Sequence, residues 1–139
     1  MTARASERRL VRLLVLGGGM PDAVVISKTE FYQVKPNTPV LLSVTIGDDQ
    51  EGGTAVTLNG QLVGSGDDIK NLRIGAAGQD LRNSSISCTT TVKDVNEASN
   101  HTSVTYALRE GKQPRDFTYD VTVSEAGGRA VYLAIFLLS

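Results

Sequence analysis

Residues 102–108 read Thr-Ser-Val-Thr-Tyr-Ala-Leu, and residues 117–123 read Phe-Thr-Tyr-Asp-Val-Thr-Val. In both segments one parity carries the larger, mostly apolar side chains and the other carries small or polar ones. Because successive side chains of a β-strand point to opposite faces, this period of two predicts strands with one buried row and one solvated row. Residues 40–46 repeat the pattern, and residues 86–92 repeat it more weakly. The chain is therefore predicted to be built from antiparallel strands.

Turn-forming sequences separate these segments. Asn59-Gly60 lies between two short apolar runs, and Asn-Gly favours the positive φ angles of a type I′ hairpin turn. Polar, glycine-containing loops are expected at residues 47–53, 64–68, 75–80 and 124–128. About eight strands at this spacing predict an all-β fold, a single antiparallel two-sheet β-sandwich of immunoglobulin-like or jelly-roll-like kind, with a closed barrel as the alternative.

The last predicted strand differs from the others because it is apolar on both faces. Residues 130–138 read Ala-Val-Tyr-Leu-Ala-Ile-Phe-Leu-Leu. Such a strand is central in its sheet, or one of its faces is covered by a partner. Assigning Tyr132, Phe136 and Leu138 to the outer row predicts an interface there, with either a homo-oligomer or a dedicated protein partner.

The N-terminal segment has a different composition. Four arginines and a leucine- and valine-rich run give residues 2–16 the only helix-like stretch, followed by Gly17-Gly18-Gly19-Met20. The apolar run is short for a secretory signal, and it forms no clean stripe for a membrane-surface helix. Because glycine codons in frame before a methionine codon resemble a bacterial ribosome-binding site, a start at Met20 is predicted. The domain assignment is then a non-core extension at residues 1–19, native or a start-site artefact, and a β-sandwich at residues 20–139.

Charge and composition argue against several classes of partner. The formal net charge is -1, which favours neither nucleic acid nor an anionic membrane surface. Aromatic residues are few and tryptophan is absent, so stacking platforms for bases or sugars are not expected. No apolar run approaches the roughly 20 residues that a membrane-spanning helix needs. The single cysteine allows no intrachain disulfide, which favours the cytoplasm.

The catalytic and metal-binding motifs that the sequence offers are sparse. Cys88 lies on the apolar parity of its strand, where a buried thiol is expected, and His101 is the only histidine. Neither lies in a nucleophile motif, so the chain is predicted not to be an enzyme and to need no cofactor. One loop does cluster oxygen ligands of the kind that calcium prefers, although without EF-hand spacing. Its candidate ligands are Asp94, Asn96, Glu97 and Asn100.

Three functions follow as hypotheses, of which the least favoured is an enzyme whose residues come together only in three dimensions. The first is a non-catalytic module that acts through protein contacts or self-association. The alternative is a small-ligand or calcium-binding domain that uses the acidic loops.

Overall fold

A computed structural model describes the backbone of residues 6–15, 18–124 and 127–139, and the side chains of residues 23–124 and 127–139. The described chain forms ten β-strands and one short 3-10 helix, at Gly78–Leu81. The strands are β1 (Ser6–Val15), β2 (Gly18–Tyr32), β3 (Val40–Ile46), β4 (Glu51–Leu58), β5 (Gln61–Gly66), β6 (Ile69–Ile74), β7 (Ser85–Lys93), β8 (His101–Arg109), β9 (Arg115–Thr122) and β10 (Arg129–Leu138).

The strands form two sheets that enclose one core, so the predicted all-β sandwich is confirmed. A six-stranded sheet, sheet A, has the order β1-β2-β10-β7-β4-β5, and a four-stranded sheet, sheet B, has the order β6-β3-β8-β9. The expectation of purely antiparallel pairing is wrong at one place, because β10 runs parallel to β2 over ten residue pairs. The last strand thus pairs beside β2, and β10 is a central strand, which is one of the two alternatives that its apolar sequence predicted.

Alternation of side chains supplies the core as the sequence indicated. The inward rows of β3, β8 and β9 are buried, and so is the weaker row of β7. Aromatic rings fill the space between the sheets: the ring of Phe136 lies 5.7 Å from that of Tyr106 and 5.4 Å from that of Phe117. Contacts of this kind stabilise a core beyond the apolar area they bury.

Polar groups inside the core are paired with one another, both within sheet A and across the two sheets. The Thr90 hydroxyl lies 2.8 Å from that of Thr54 and 2.6 Å from the Tyr106 hydroxyl. Thr102 makes a similar pair with Tyr132 at 2.6 Å. Burial raises the pKa of Tyr132 to about 12, so its hydroxyl stays protonated and able to donate. These hydroxyl pairs satisfy groups that would otherwise cost free energy in the core.

The Asn59-Gly60 hairpin is confirmed between β4 and β5. Both residues have positive φ, 49° and 87°, as a type I′ turn requires. The Asn59 side chain also accepts a hydrogen bond from the Ser85 backbone N–H at 3.0 Å, which fixes the turn against the start of β7.

The N-terminal segment is not helical where the structure describes it. β1 pairs with β2 from Ser6 opposite Lys28 to Val15 opposite Gly18, so this arginine- and leucine-rich stretch is an edge strand of sheet A. The proposed boundary between residues 19 and 20 falls inside β2. Residues 1–5, 16 and 17 lie outside the described residues, and the hypothesis that translation starts at Met20 stays a prediction.

Cys88 provides a chemical test of the strand parity. Its side chain is 1% exposed, and burial raises the pKa of the thiol to about 12. Because the thiolate is the reactive form, we expect Ellman's reagent to label native Cys88 much more slowly than the same thiol in urea. Equal rates in the two solvents would show that β7 does not bury this row.

Candidate functional site

Gln50 organises the loop that joins β7 to β8. Its side-chain nitrogen donates to Asp94 Oδ1 at 2.9 Å and to the His101 carbonyl at 2.9 Å. Its side-chain oxygen accepts from the backbone N–H groups of Val95 and Asn96 at 2.7 and 2.9 Å. The Gln50 side chain is buried and connects the loop between β3 and β4 to the loop between β7 and β8. One amide thus holds a long connection in place, a role for which it needs both a donor and an acceptor.

Glycine at position 52 brings β4 close to its neighbour beside Gln50. A Cβ at Gly52 would collide with the backbone carbonyl of Thr91 on β7. The sequence indicated a polar loop here and did not single out Gln50. Its role depends on residues 44 to 51 positions later in the chain, which no local pattern connects to it.

The four candidate calcium ligands have different environments. Asp94 is buried, and its Oδ2 atom has no hydrogen-bond partner among the described residues. Asn96 uses its side chain within the loops, accepting from the Ala98 N–H and donating to the Asp48 carbonyl, both at 2.9 Å. Glu97 is exposed, and Asn100 is half-buried. Within the described part of the chain, no group of three or more histidine, cysteine and acidic residues could hold a metal ion.

His101 lies at the surface between two aspartates. Its Nδ1 atom is 3.0 Å from Asp48 Oδ2, and its Nε2 atom is 3.6 Å from Asp120 Oδ1. The imidazole and the Asp48 carboxylate are both more than a third exposed. Cys88 lies in the core, so the histidine and the thiol do not form a catalytic pair.

A cleft of about 680 Å³ opens beside the Gln50 loop. Charged side chains of both signs line it, together with glycine and threonine. The charged residues are Glu51, Asp67, Asp68, Lys93 and Arg129. One carboxylate oxygen of Asp68 already accepts a hydrogen bond from the Ile46 N–H at 3.1 Å, so Asp68 also has a structural role.

The two faces of β10 are reversed relative to the sequence-based interpretation. Tyr132, Phe136 and Leu138 are at most 2% exposed and belong to the core, so they are not available to a partner and that assignment is corrected. Parity alone cannot tell which apolar row of such a strand faces inward. The pairing with β2 and β7 decides it, because their buried rows lie beside the even-numbered residues.

The outward row of β10 is also apolar, and its side chains are partly exposed. We call it the apolar stripe, and its members are Val131, Leu133, Ile135 and Leu137. On β2 the stripe continues to Phe31, which pairs with Leu137 and is 65% exposed.

The neighbouring strands give the same surface small, uncharged side chains. On β7 the outward row beside the stripe is a run of hydroxyls, at Ser85, Ser87, Thr89 and Thr91. On β4 the next outward row is smaller still, at Gly53, Ala55 and Thr57. Leu62, 66% exposed, pairs with Thr57 at the β5 edge. We call the outward surface of β2, β10, β7, β4 and β5, from the level of Val131 to the level of Leu137, the uncharged face.

A row of charged residues borders one end of the uncharged face. Glu51 on β4, Lys93 on β7 and Arg129 on β10 lie side by side in the sheet register. Beyond this row, the outward side chains of β2 from Val25 to Phe31 are apolar or hydroxyl-bearing. The outward side chains at the same levels of β10 and β7 are also apolar or hydroxyl-bearing.

The outward face of sheet B is different and serves as an internal comparison. It carries Arg73, Arg109, Asp116 and Asp120, and Arg109 forms an ion pair with Asp116 at 2.7 Å. Mixed charge is what solvated surfaces of small domains normally carry. Among the strands whose side chains the structure describes, sheet B therefore has an ordinary solvated surface, whereas sheet A has a surface without charge beyond the row of Glu51, Lys93 and Arg129.

Comparison with protein-family models, with curated proteins and with solved structures finds no match. The immunoglobulin-like or jelly-roll-like character of the sandwich therefore stays a prediction. In the residues that the structure describes, no helix has the length and apolar character to cross a membrane.

Gln50→Glu tests the organisation of the loop. The change replaces a donor by a carboxylate oxygen that would face Asp94 Oδ1 and the His101 carbonyl, so we expect a loss of roughly 3 kcal/mol in the free energy of unfolding at pH 7. At pH 4 the loss should be smaller, because a protonated carboxyl can donate again. Urea unfolding measures both values.

The matched control is Gln113→Glu, which introduces the same charge at an exposed position. It should change the free energy of unfolding by no more than about 0.5 kcal/mol. If the two variants unfold at the same urea concentration, Gln50 does not hold the loop.

Proposed function

We propose that this chain is a non-catalytic module that works through protein contacts made by the uncharged face of sheet A. The observation that carries the proposal is the contrast between the two sheet surfaces of one domain. Sheet B carries charged side chains on its outward face, whereas the described outward side chains of sheet A form the apolar stripe between hydroxyl-bearing and small residues, with a charged row at one end.

The size of the uncharged face supports the proposal. Four spacings between its five strands and the seven residues from Val131 to Leu137 give a surface of roughly 20 by 20 Å before side chains are added. Monomeric proteins rarely expose a continuous apolar patch of more than a few hundred Å². Phe31 at 65% exposed and Leu62 at 66% exposed add large apolar side chains at its two sides.

The environments of the reactive side chains favour a non-catalytic role. The thiol of Cys88 is buried with a pKa raised to about 12, whereas nucleophilic cysteines have lowered pKa values and solvent access. The His101 imidazole is partnered by two surface aspartates. A binding role uses neither group.

Photo-crosslinking tests this function. With p-benzoylphenylalanine in place of Leu133, irradiation in an extract of the source cells should link the chain to protein, either itself or another chain. The same photoreactive residue in place of Thr105, on the outward face of sheet B, is the control and should give few adducts. Equal yields at the two positions, measured by gel and mass spectrometry, would contradict the proposal.

The alternative function is a small-ligand or calcium-binding domain. It is favoured by the cleft of about 680 Å³ with its charged lining, and by the Asp94 Oδ2 atom in the neighbouring loop, which has no hydrogen-bond partner among the described residues. The cleft opens beside the charged row that borders the uncharged face, where Lys93 and Arg129 attract anions and Glu51, Asp67 and Asp68 attract cations.

Calcium binding is tested by thermal melting. A ligand that binds only the folded state raises the melting temperature, and we expect no rise with millimolar calcium chloride. Magnesium chloride at the same concentration controls for ionic strength. A rise specific to calcium that Asp94→Ala abolishes would favour the alternative over the protein-contact module.

A further inference from the structure

The rows of the uncharged face are graded in size across the sheet. The apolar stripe on β10 is made of valine, leucine and isoleucine, whereas the outward row of β4 is made of Gly53, Ala55 and Thr57. β7, with its hydroxyl row, lies between the two. The face therefore has a ridge on one side of β7 and a shallow trough on the other.

This arrangement is self-complementary about an axis along β7. A half-turn about that axis lays a second copy face to face on the first and reverses the left-right order of its strands. The ridge of each copy then lies over the trough of the other. The exposed Phe31 near the end of β2 in each copy likewise lies toward the exposed Leu62 on the edge strand β5 of the other.

The charged row fits the same operation. Glu51 and Arg129 occupy the same level in the sheet, on the strands that flank β7. The half-turn keeps that level and exchanges the two sides, so Arg129 of each copy faces Glu51 of the other. Lys93 lies on the axis and therefore faces Lys93 of the second copy. Within each copy, Lys93 lies between Glu51 on β4 and Arg129 on β10. Two opposite-charge pairs thus accompany one like-charge contact.

We propose that the partner of the uncharged face is a second copy of this chain, packed sheet A on sheet A about a two-fold axis along β7. This proposal rests on the proposed function and names its partner. Sheets that pack face to face lie about 10 Å apart with interleaved side chains, which suits a ridge of this height over a trough of glycine and alanine. The face supplies on the order of 1,000 Å² in total from two copies, the area at which specific interfaces begin.

The first measurement is the mass in solution, by light scattering. The chain has a mass of 14.8 kDa, and we expect the dimer, at twice that mass, at micromolar concentrations. Leu133→Lys, in the centre of the stripe, should give the monomer, whereas Thr105→Lys on sheet B should remain a dimer. Circular dichroism melts establish that both variants are folded.

The second measurement tests the orientation of the two copies. Arg129→Glu places an acid opposite Glu51 of the second copy, and Glu51→Arg places two bases opposite each other. Each variant alone should dissociate at a protein concentration about tenfold above that of the native chain. An equimolar mixture of the two variants should recover native dissociation, because every facing pair in the mixed dimer is again of opposite sign.

The outcomes separate the partner from the function. If the native chain is a monomer at high micromolar concentration, if Leu133→Lys remains a dimer, or if mixing restores nothing, the proposed partner or its orientation is wrong. Crosslinks from position 133 to a different protein would leave the module function standing with another partner. A monomeric native chain together with equal crosslinking at positions 133 and 105 would contradict both the proposed partner and the proposed function.

Discussion

The placement of β10 between β2 and β7 is the constraint on which the rest of the structure depends. β10 pairs in parallel with β2 and antiparallel with β7, and these two registers fix which row of its side chains enters the core. Phe136 and Tyr132 then lie among the aromatic and hydroxyl groups of sheet B, where Tyr132 meets Thr102. The same placement turns Leu133 and Ile135 outward. A strand with two apolar rows thus creates a core and an apolar surface at once.

Local patterns in the sequence were sufficient for the fold class and for several of the strands. The alternation in β3, β8 and β9 identified the buried rows, and Asn59-Gly60 identified a hairpin, because both signals arise within a few residues. The parallel pairing of β10 with β2 joins segments about a hundred residues apart, and no local signal encodes it. Because both rows of β10 are apolar, the sequence could not show whether Tyr132 and Phe136 face the core. The pairing with β2 decides it. The N-terminal strand was missed because its charged and apolar residues follow no period of two.

The candidate site likewise depends on long-range pairing that local sequence patterns do not encode. Ser87 and Thr89 are unremarkable in the sequence, since hydroxyl-bearing residues are common on strands. They become part of an uncharged surface only when β7 lies between the apolar stripe and the small residues of β4. Gln50 reaches Asp94 and His101 across the fold in the same way. Binding surfaces and loop clamps made by several strands are properties of the assembled sheet.

The self-association proposed above places the uncharged face of one chain against the uncharged face of a second copy. Its most direct test is the maleimide labelling rate of a single new cysteine at Thr89, compared with one at Thr45 on the outward face of sheet B, over a range of protein concentrations. Labelling at position 89 should slow as the concentration rises through the dissociation constant of the dimer, while labelling at position 45 stays constant. Buried Cys88 contributes little to either rate. Labelling at position 89 that is independent of concentration, and as fast as at position 45, would show that the uncharged face is not covered by a second copy.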